Sequence, residues 1–263
     1  MKSKQFFVTL AAGLAAVCTM PLAGCGSGGG GNGGNGGGSG LTVSKTFYPL
    51  TDASGAALSW TYDTTSTARS RAAAGTGSSY TVRYGGTTTF QGQSVYQFST
   101  AGGAFVTYLD LTTSGVAYAG QQSGGTNSAL WGNDWYIRYE LSPGQTEEFT
   151  SAVGNAAGSY RYRLSRLADQ SVTTPAGTFP CAVYRRTALA VTGIATNDYS
   201  VGDVDTYWYA SQVGLVKDTF QFSDGTTDTA ILRSYGASAT TLPVPPPTPT
   251  GGGAPNPVPA PPH

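Results

Sequence analysis

From residue 41 to residue 241, aromatic and apolar side chains recur at every second position in short runs. Tyr80, Val82 and Tyr84 fall on one side of such a run, with Thr81 and Arg83 on the other. Trp135, Ile137, Tyr139 and Leu141 alternate with Tyr136, Arg138 and Glu140. Tyr160, Tyr162 and Leu164 alternate with Arg161, Arg163 and Ser165. A period of two is the repeat of a strand with one buried face, and it does not fit an amphipathic helix. Turn residues bound the runs. Gly85-Gly86 and Asp224-Gly225 tolerate the positive φ that two-residue hairpins need, and Pro143-Gly144 and Pro175-Ala176-Gly177 interrupt strands. The expected fold is therefore all-β: about ten to twelve strands in a curved antiparallel meander, forming an open or partly closed barrel.

The core of such a barrel must be unusual. The chain has 16 Tyr and 4 Trp while long aliphatic residues are sparse, so aromatic bodies supply much of the buried area. Their hydroxyls then need the rim or a hydrogen-bond partner. The order of elements also echoes between the two halves. Tyr48-Pro49-Leu50, Trp60, the run at Tyr80, Phe90-Gln91-Gly92 and Tyr108-Leu109-Asp110 are followed by Tyr139-Glu140-Leu141, Gly144, the run at Tyr160, Pro175 to Phe179, and Tyr207-Trp208-Tyr209. That order fits an internal duplication. It fits equally well any all-β chain with regularly spaced turns.

Both ends lie outside this pattern. Lys2 and Lys4 precede a mostly apolar stretch, Phe6 to Val17, too short to span a bilayer comfortably. Leu22-Ala23-Gly24-Cys25 follows and resembles the bacterial lipobox. The resemblance implies that residues 1–24 are a lipoprotein signal peptide, that cleavage precedes Cys25, and that Cys25 carries the lipid. Several acyl chains, palmitate among them, give stable anchoring where one chain is marginal. Gly26 stands where an Asp resembles the inner-membrane retention signal, which points to the outer membrane with the domain in the periplasm. Residues 25–40 form the lipidated cysteine and a tether, with 11 Gly in residues 26–40 and an r.m.s. reach of roughly 20 Å. Residues 41–241 form the β domain. Residues 242–263 hold 10 of the 15 prolines, the composition of a disordered or polyproline II tail.

Charge and chemistry exclude several functions. Removing residues 1–24 takes away Lys2 and Lys4 and leaves 12 basic against 14 acidic residues, a balance that gives no nucleic-acid surface. His263, the single histidine, sits at the end of the tail, which removes histidine-based catalysis and histidine zinc sites from the domain. No G-x-S-x-G, S-x-x-K or P-loop pattern occurs. Cys181 is the one cysteine left in the domain and reads as a small buried side chain. Asp134, Glu140, Glu147 and Glu148 are the formal candidates for acid-only catalysis, and they read first as surface charge. Asn197-Asp198 to Asp203-Val204-Asp205 offers oxygens without EF-hand spacing and reads as a polar loop. Arg161, Arg163, Arg185 and Arg186 are the candidate ligand-binding residues. Outward arginines on two paired strands would form a cationic strip for carboxylate or phosphate groups. The competing reading is cross-strand pairing with acids.

Three stretches carry a further resemblance. They are Tyr48-Pro49-Leu50 leading to Trp60-Thr61-Tyr62, then Thr174-Pro175-Ala176-Gly177-Thr178-Phe179-Pro180-Cys181, then Thr206-Tyr207-Trp208-Tyr209-Ala210 with Val213-Gly214-Leu215-Val216-Lys217. They resemble a group of bacterial lipoproteins of uncharacterised function. The architecture is also loosely similar to the curved-sheet lipoprotein carriers and chaperones of the periplasm, a likeness that lends fold more than activity. Together these readings imply a non-catalytic, membrane-anchored module with no cofactor and no metal. It would bind a lipid, another hydrophobic or amphipathic ligand, or an envelope protein. The alternatives are an assembly lipoprotein acting through its surface and Pro-rich tail and, last, a carboxylate-dependent enzyme.

Overall fold

The computed structural model describes residues 47, 49–67, 78–100, 103, 105–123, 126–131, 134–153, 158–192 and 200–237, with backbone alone for residues 123, 126–131 and 153. Cys25, both tethers, Tyr48 and the Asn197-Asp198 pair lie outside the described residues.

Thirteen strands make one antiparallel sheet. They are β1 (Leu58–Thr67), β2 (Ser78–Phe90), β3 (Gln93–Thr100), β4 (Phe105–Leu111), β5 (Gly115–Ser123), β6 (Thr126–Trp131) and β7 (Trp135–Arg138), then β8 (Thr146–Val153), β9 (Gly158–Thr174), β10 (Gly177–Thr192), β11 (Val204–Ala210), β12 (Gly214–Gln221) and β13 (Thr227–Ala237). β1 to β5 pair in chain order, as do β8 to β13, and β13 returns to pair with β1. The remaining seam is thin. β6 meets β8 over two residue pairs, Leu130↔Val153 and Trp131↔Ala152. The sheet is thus curled into a partly closed barrel, in agreement with the sequence pattern.

Alternation predicts the two faces well. Along β9, Tyr160, Tyr162 and Leu164 are buried while Arg161 and Arg163 are exposed. The largest of the almost wholly enclosed side chains include Trp60, Tyr62, Tyr136, Tyr162, Tyr184, Tyr207 and Tyr209. Large rings fill the interior where aliphatic residues would normally stand. Their polar atoms reach backbone carbonyls: the Trp60 indole N–H donates to Val213 O at 2.7 Å, and the Tyr62 hydroxyl to Leu215 O at 3.0 Å.

Two turn expectations differ from the structure. Asp224-Gly225 does connect β12 to β13, with Gly225 at φ +83°. Gly85-Gly86 does not make a hairpin. It lies inside β2, where Gly85 is the extra residue of a bulge opposite β3. The β2–β3 turn is Gln91-Gly92, both at positive φ. A glycine pair relieves a strand as readily as it turns one, because bulges also use positive φ.

The β9–β10 hairpin is long and does not end at the barrel rim. Its tip, Pro175 to Gly177, reaches past the β11–β12 turn to β13. Ala176 N–H meets Leu232 O at 3.4 Å, and the Phe179 ring packs edge-on to Tyr235 at 6.2 Å. The Thr-Pro-Ala-Gly-Thr-Phe stretch is therefore the landing point of an arm that ties four strands together.

Candidate functional site

β7 holds the first unusual arrangement. The sequence pattern gives this run alternating faces, yet Trp135, Tyr136 and Ile137 are all buried. β7 pairs on one side with β5, through Gly115↔Arg138, Val116↔Ile137 and Ala117↔Trp135. On its other side no strand is hydrogen-bonded to it among the described residues. Two inward tyrosines take that place. Trp135 N–H donates to the Tyr162 hydroxyl at 2.5 Å, and the Tyr184 hydroxyl donates to Arg138 O at 3.0 Å. β7 is thus an inner strand behind the thin seam, and side-chain hydroxyls satisfy backbone groups that a neighbouring strand would otherwise serve.

The second arrangement is a buried ionic cluster. Arg186 Nη2 meets Asp134 Oδ1 and the Tyr160 hydroxyl, each at 2.5 Å, and Tyr160 donates to the same carboxylate. The Arg186 guanidinium lies over the rings of Tyr162 at 4.5 Å, Tyr136 at 5.0 Å and Tyr160 at 5.8 Å. Burial pushes the Asp134 carboxyl up, against the opposing pull of Arg186 and the hydrogen bonds from Tyr160. Beside this group, the Tyr207 hydroxyl donates to Asp205, and Asp218 faces Asp205 from β12. Burial holds both of these carboxyls above the usual range, Asp218 well above it. A small cleft of about 10 Å³ opens onto the cluster, lined by Tyr160, Tyr162, Arg186, Ala188, Asp203, Asp205 and Phe220.

The four candidate arginines do not stay together. β9 and β10 pair, so Ser165 stands opposite Arg185, and Arg163 opposite Thr187. Arg161, Arg163 and Arg185 are exposed on the outer wall, and Arg163 is paired with Glu148 at 2.7 Å. Arg186 departs from the outward strip. It is 4% exposed and faces the interior, because adjacent residues of a strand point to opposite faces.

The acids also sort differently from the sequence expectation. Glu140 and Glu148 are exposed surface partners of Arg138 and Arg163, whereas Asp134 is 2% exposed and not a surface charge. Asp203 accepts the backbone N–H groups of Ser200 and Ser223, each at 2.7 Å, and so clamps two loops. Asp205 faces the interior rather than a loop surface. Among the described residues, no group of three His, Cys, Asp or Glu side chains is arranged to hold a metal ion.

Sequence reasoning missed Arg166, which is buried over the Tyr184 ring at 5.3 Å and paired with Asp169. Its place beside Leu164 in the inward series was the available signal, since the alternation that buries Tyr162 and Leu164 also buries residue 166.

No protein-family model and no curated protein matches the chain. Two solved structures share a distant likeness. One, from Bacteroides fragilis NCTC 9343, is described as an exported protein with a YmcC-like fold. It is 14% identical, covers 68% of this chain and 95% of its own, and gives a TM-score of 0.37. The other, described as a lipoprotein of Parabacteroides distasonis ATCC 8503, is 14% identical, covers 72% and 98%, and gives a TM-score of 0.38.

Proposed function

We propose that this chain is a lipid-anchored protein of the bacterial cell envelope, held by Cys25, whose barrel is a non-catalytic module that binds a partner through its outer wall. The observation that carries the outer-wall reading is the filled interior. Trp60, Tyr62, Tyr136, Tyr162, Tyr184, Tyr207 and Tyr209 are each at most 2% exposed. The cleft, at about 10 Å³, is far smaller than the ~300–1,000 Å³ of ordinary small-molecule sites. Among the described residues these rings occupy the interior, which favours the outer wall over the interior as the surface that meets a partner.

The outer wall offers Arg161, Arg163 and Arg185, of which Arg163 is engaged by Glu148. Arg161 and Arg185 suit carboxylates on an acidic envelope protein. A non-catalytic role is supported by the fate of the acids. Asp134 is locked to Arg186, Glu140 lies against Arg138, and Glu148 against Arg163. Placement at the outer membrane, with the domain in the periplasm, rests on Gly26 after the lipobox-like Leu22-Ala23-Gly24-Cys25.

The test has two arms. Cys25→Ser is expected to move the protein from the membrane to the soluble fraction in the absence of detergent, and its retention on the membrane refutes the anchor. A photo-crosslinking residue placed at position 161 or 185 in cells is expected to capture an envelope protein. That capture should be lost when the other arginine becomes Glu. Capture that persists unchanged, or none at either position, refutes the outer-wall reading.

A further inference from the structure

Asp205 of β11 and Asp218 of β12 approach each other inside the barrel at the cleft. In the β11–β12 ladder Asp218 stands opposite Tyr207 and Asp205 opposite Phe220, so the two carboxyls are diagonal neighbours on one face. They are 3% and 8% exposed. Asp205 Oδ2 accepts the Tyr207 hydroxyl, while the Oδ1 atoms of Asp205 and Asp218 each receive no protein donor. Asp228 of β13, opposite Phe220, adds a third carboxyl to the same neighbourhood, and its Oδ1 also receives no donor. Two bare carboxylates in contact out of water repel strongly, and each would leave a lone pair uncompensated. One proton between them removes the repulsion and satisfies both orphan oxygens at once.

We propose that Asp205 and Asp218 share one proton in the closed barrel, and that this carboxyl–carboxylate hydrogen bond is a pH-sensitive lock on the end of the barrel that carries the cleft. Loss of the proton places two adjacent negative charges on β11 and β12, and the ends of these strands separate there.

The groups around the pair set the direction. Tyr207 and Tyr209 face it from β11, Asp228 from β13, Tyr62 from β1, Tyr80 from β2, and Asp134 with Arg186 from the ionic cluster, while Tyr162 of β9 lines the same cleft as Asp205. Burial pushes the Tyr62, Tyr80, Tyr162 and Tyr209 hydroxyls up, so these stay neutral across the relevant range. Arg186 supplies the positive charge and is already bound to Asp134. A carboxyl whose value is raised by folding stabilises fully below the ordinary range near pH ~4 and loses that stabilisation as pH rises through the folded value. The lock therefore weakens toward alkaline pH, and one lost proton multiplies the opening equilibrium by at most about tenfold per pH unit.

Hydrogen exchange of the full chain, read by mass spectrometry from about pH 5 to pH 9 and corrected for intrinsic rates, tests this. Amides of Val204–Gln221 are expected to exchange up to about tenfold faster per pH unit above the onset, while β2 to β4 keep their protection. Asp218→Asn, whose amide donates permanently in place of the proton, is expected to abolish the rise. Protection of β11 and β12 that is independent of pH overturns the proposal, as does a rise in Asp218→Asn equal to that of the unsubstituted protein. Should Asp218→Asn not fold, infrared spectra of the unsubstituted protein decide. A protonated-carboxyl band at neutral pH that disappears with the exchange onset supports the lock, and the absence of such a band refutes it.

Discussion

Tyr162→Phe isolates the hydroxyl that holds the free edge of β7. The ring stays, so packing against Phe149 at 5.7 Å and Tyr160 at 5.4 Å, and the contact with the Arg186 guanidinium at 4.5 Å, are all kept. What is lost is the acceptor of the Trp135 N–H, a buried backbone donor. Leaving such a donor unpaired costs about 1–3 kcal/mol. Tyr184→Phe removes the donor to Arg138 O, but that carbonyl also receives the Leu141 N–H at 3.3 Å. The cost should fall to about 0.5–1.5 kcal/mol, the net worth of one ordinary hydrogen bond. Both hydroxyls hold the same four-residue strand, so once one has let β7 loosen, removing the other should cost less than it does alone. The double substitution is then expected to fall short of the sum by about 0.5 kcal/mol or more. Urea unfolding followed by tryptophan fluorescence measures all three, and an unchanged m-value licenses the comparison. A Tyr162→Phe protein within about 0.3 kcal/mol of the original, or a Tyr184→Phe protein that loses more than Tyr162→Phe, refutes the reading of β7 as a strand held by tyrosines.

Other outcomes follow from the same interior. A Cβ on Gly115 would lie 2.0 Å from Ile137 O and 3.0 Å from the carbonyl carbon, so Gly115→Ala is expected to push β7 off β5 and cost about 3 kcal/mol or more, measured by thermal unfolding. Asp134→Ala leaves the 4%-exposed Arg186 without its carboxylate and should cost about 3–5 kcal/mol; a smaller loss in urea unfolding would mean that the tyrosine rings suffice to hold the charge. Burial pushes the Cys181 thiol up to about 12, so it should resist alkylation near pH ~8 in the folded protein and react once unfolded, as read by mass spectrometry.

The alternation of β9 was legible because its inward series, Tyr160, Tyr162 and Leu164, lies on a wall strand with one wet face. β7 defeated the same logic. Its residues alternate like a wall strand, but it lies inside the wall, and the period of a sequence reports side-chain direction rather than which layer the strand occupies. Gly85-Gly86 has turn chemistry and is used for a bulge. The ionic cluster was nearer to hand than the sequence reading made it. Arg185-Arg186 are adjacent, so on any strand one of them must face inward, and an inward arginine needs a buried acid. Asp205 shares parity with Tyr207 and Tyr209, and Asp218 lies two residues from the inward Val216 and Phe220 neighbourhood. What parity could not give was Asp134, since its partnership with Arg186 across 52 residues depends on where the seam brings β7.

The two ends of the barrel differ in make-up. Leu58 and Ala237 are paired at one end, with Phe47 lying beside Gly214 of the β11–β12 turn. The described chain is entered and left there. Thr67 and Thr227 are paired at the other, next to Asp205, Asp218 and the cleft. The buried carboxyls and the cleft lie at this end, while the opposite end is tied by the β9–β10 arm, Phe179 against Tyr235. Mechanical strength and chemical responsiveness make opposite demands on packing, the first on tight apolar contact and the second on buried charge near its limit of stability, and this barrel keeps them a strand length apart.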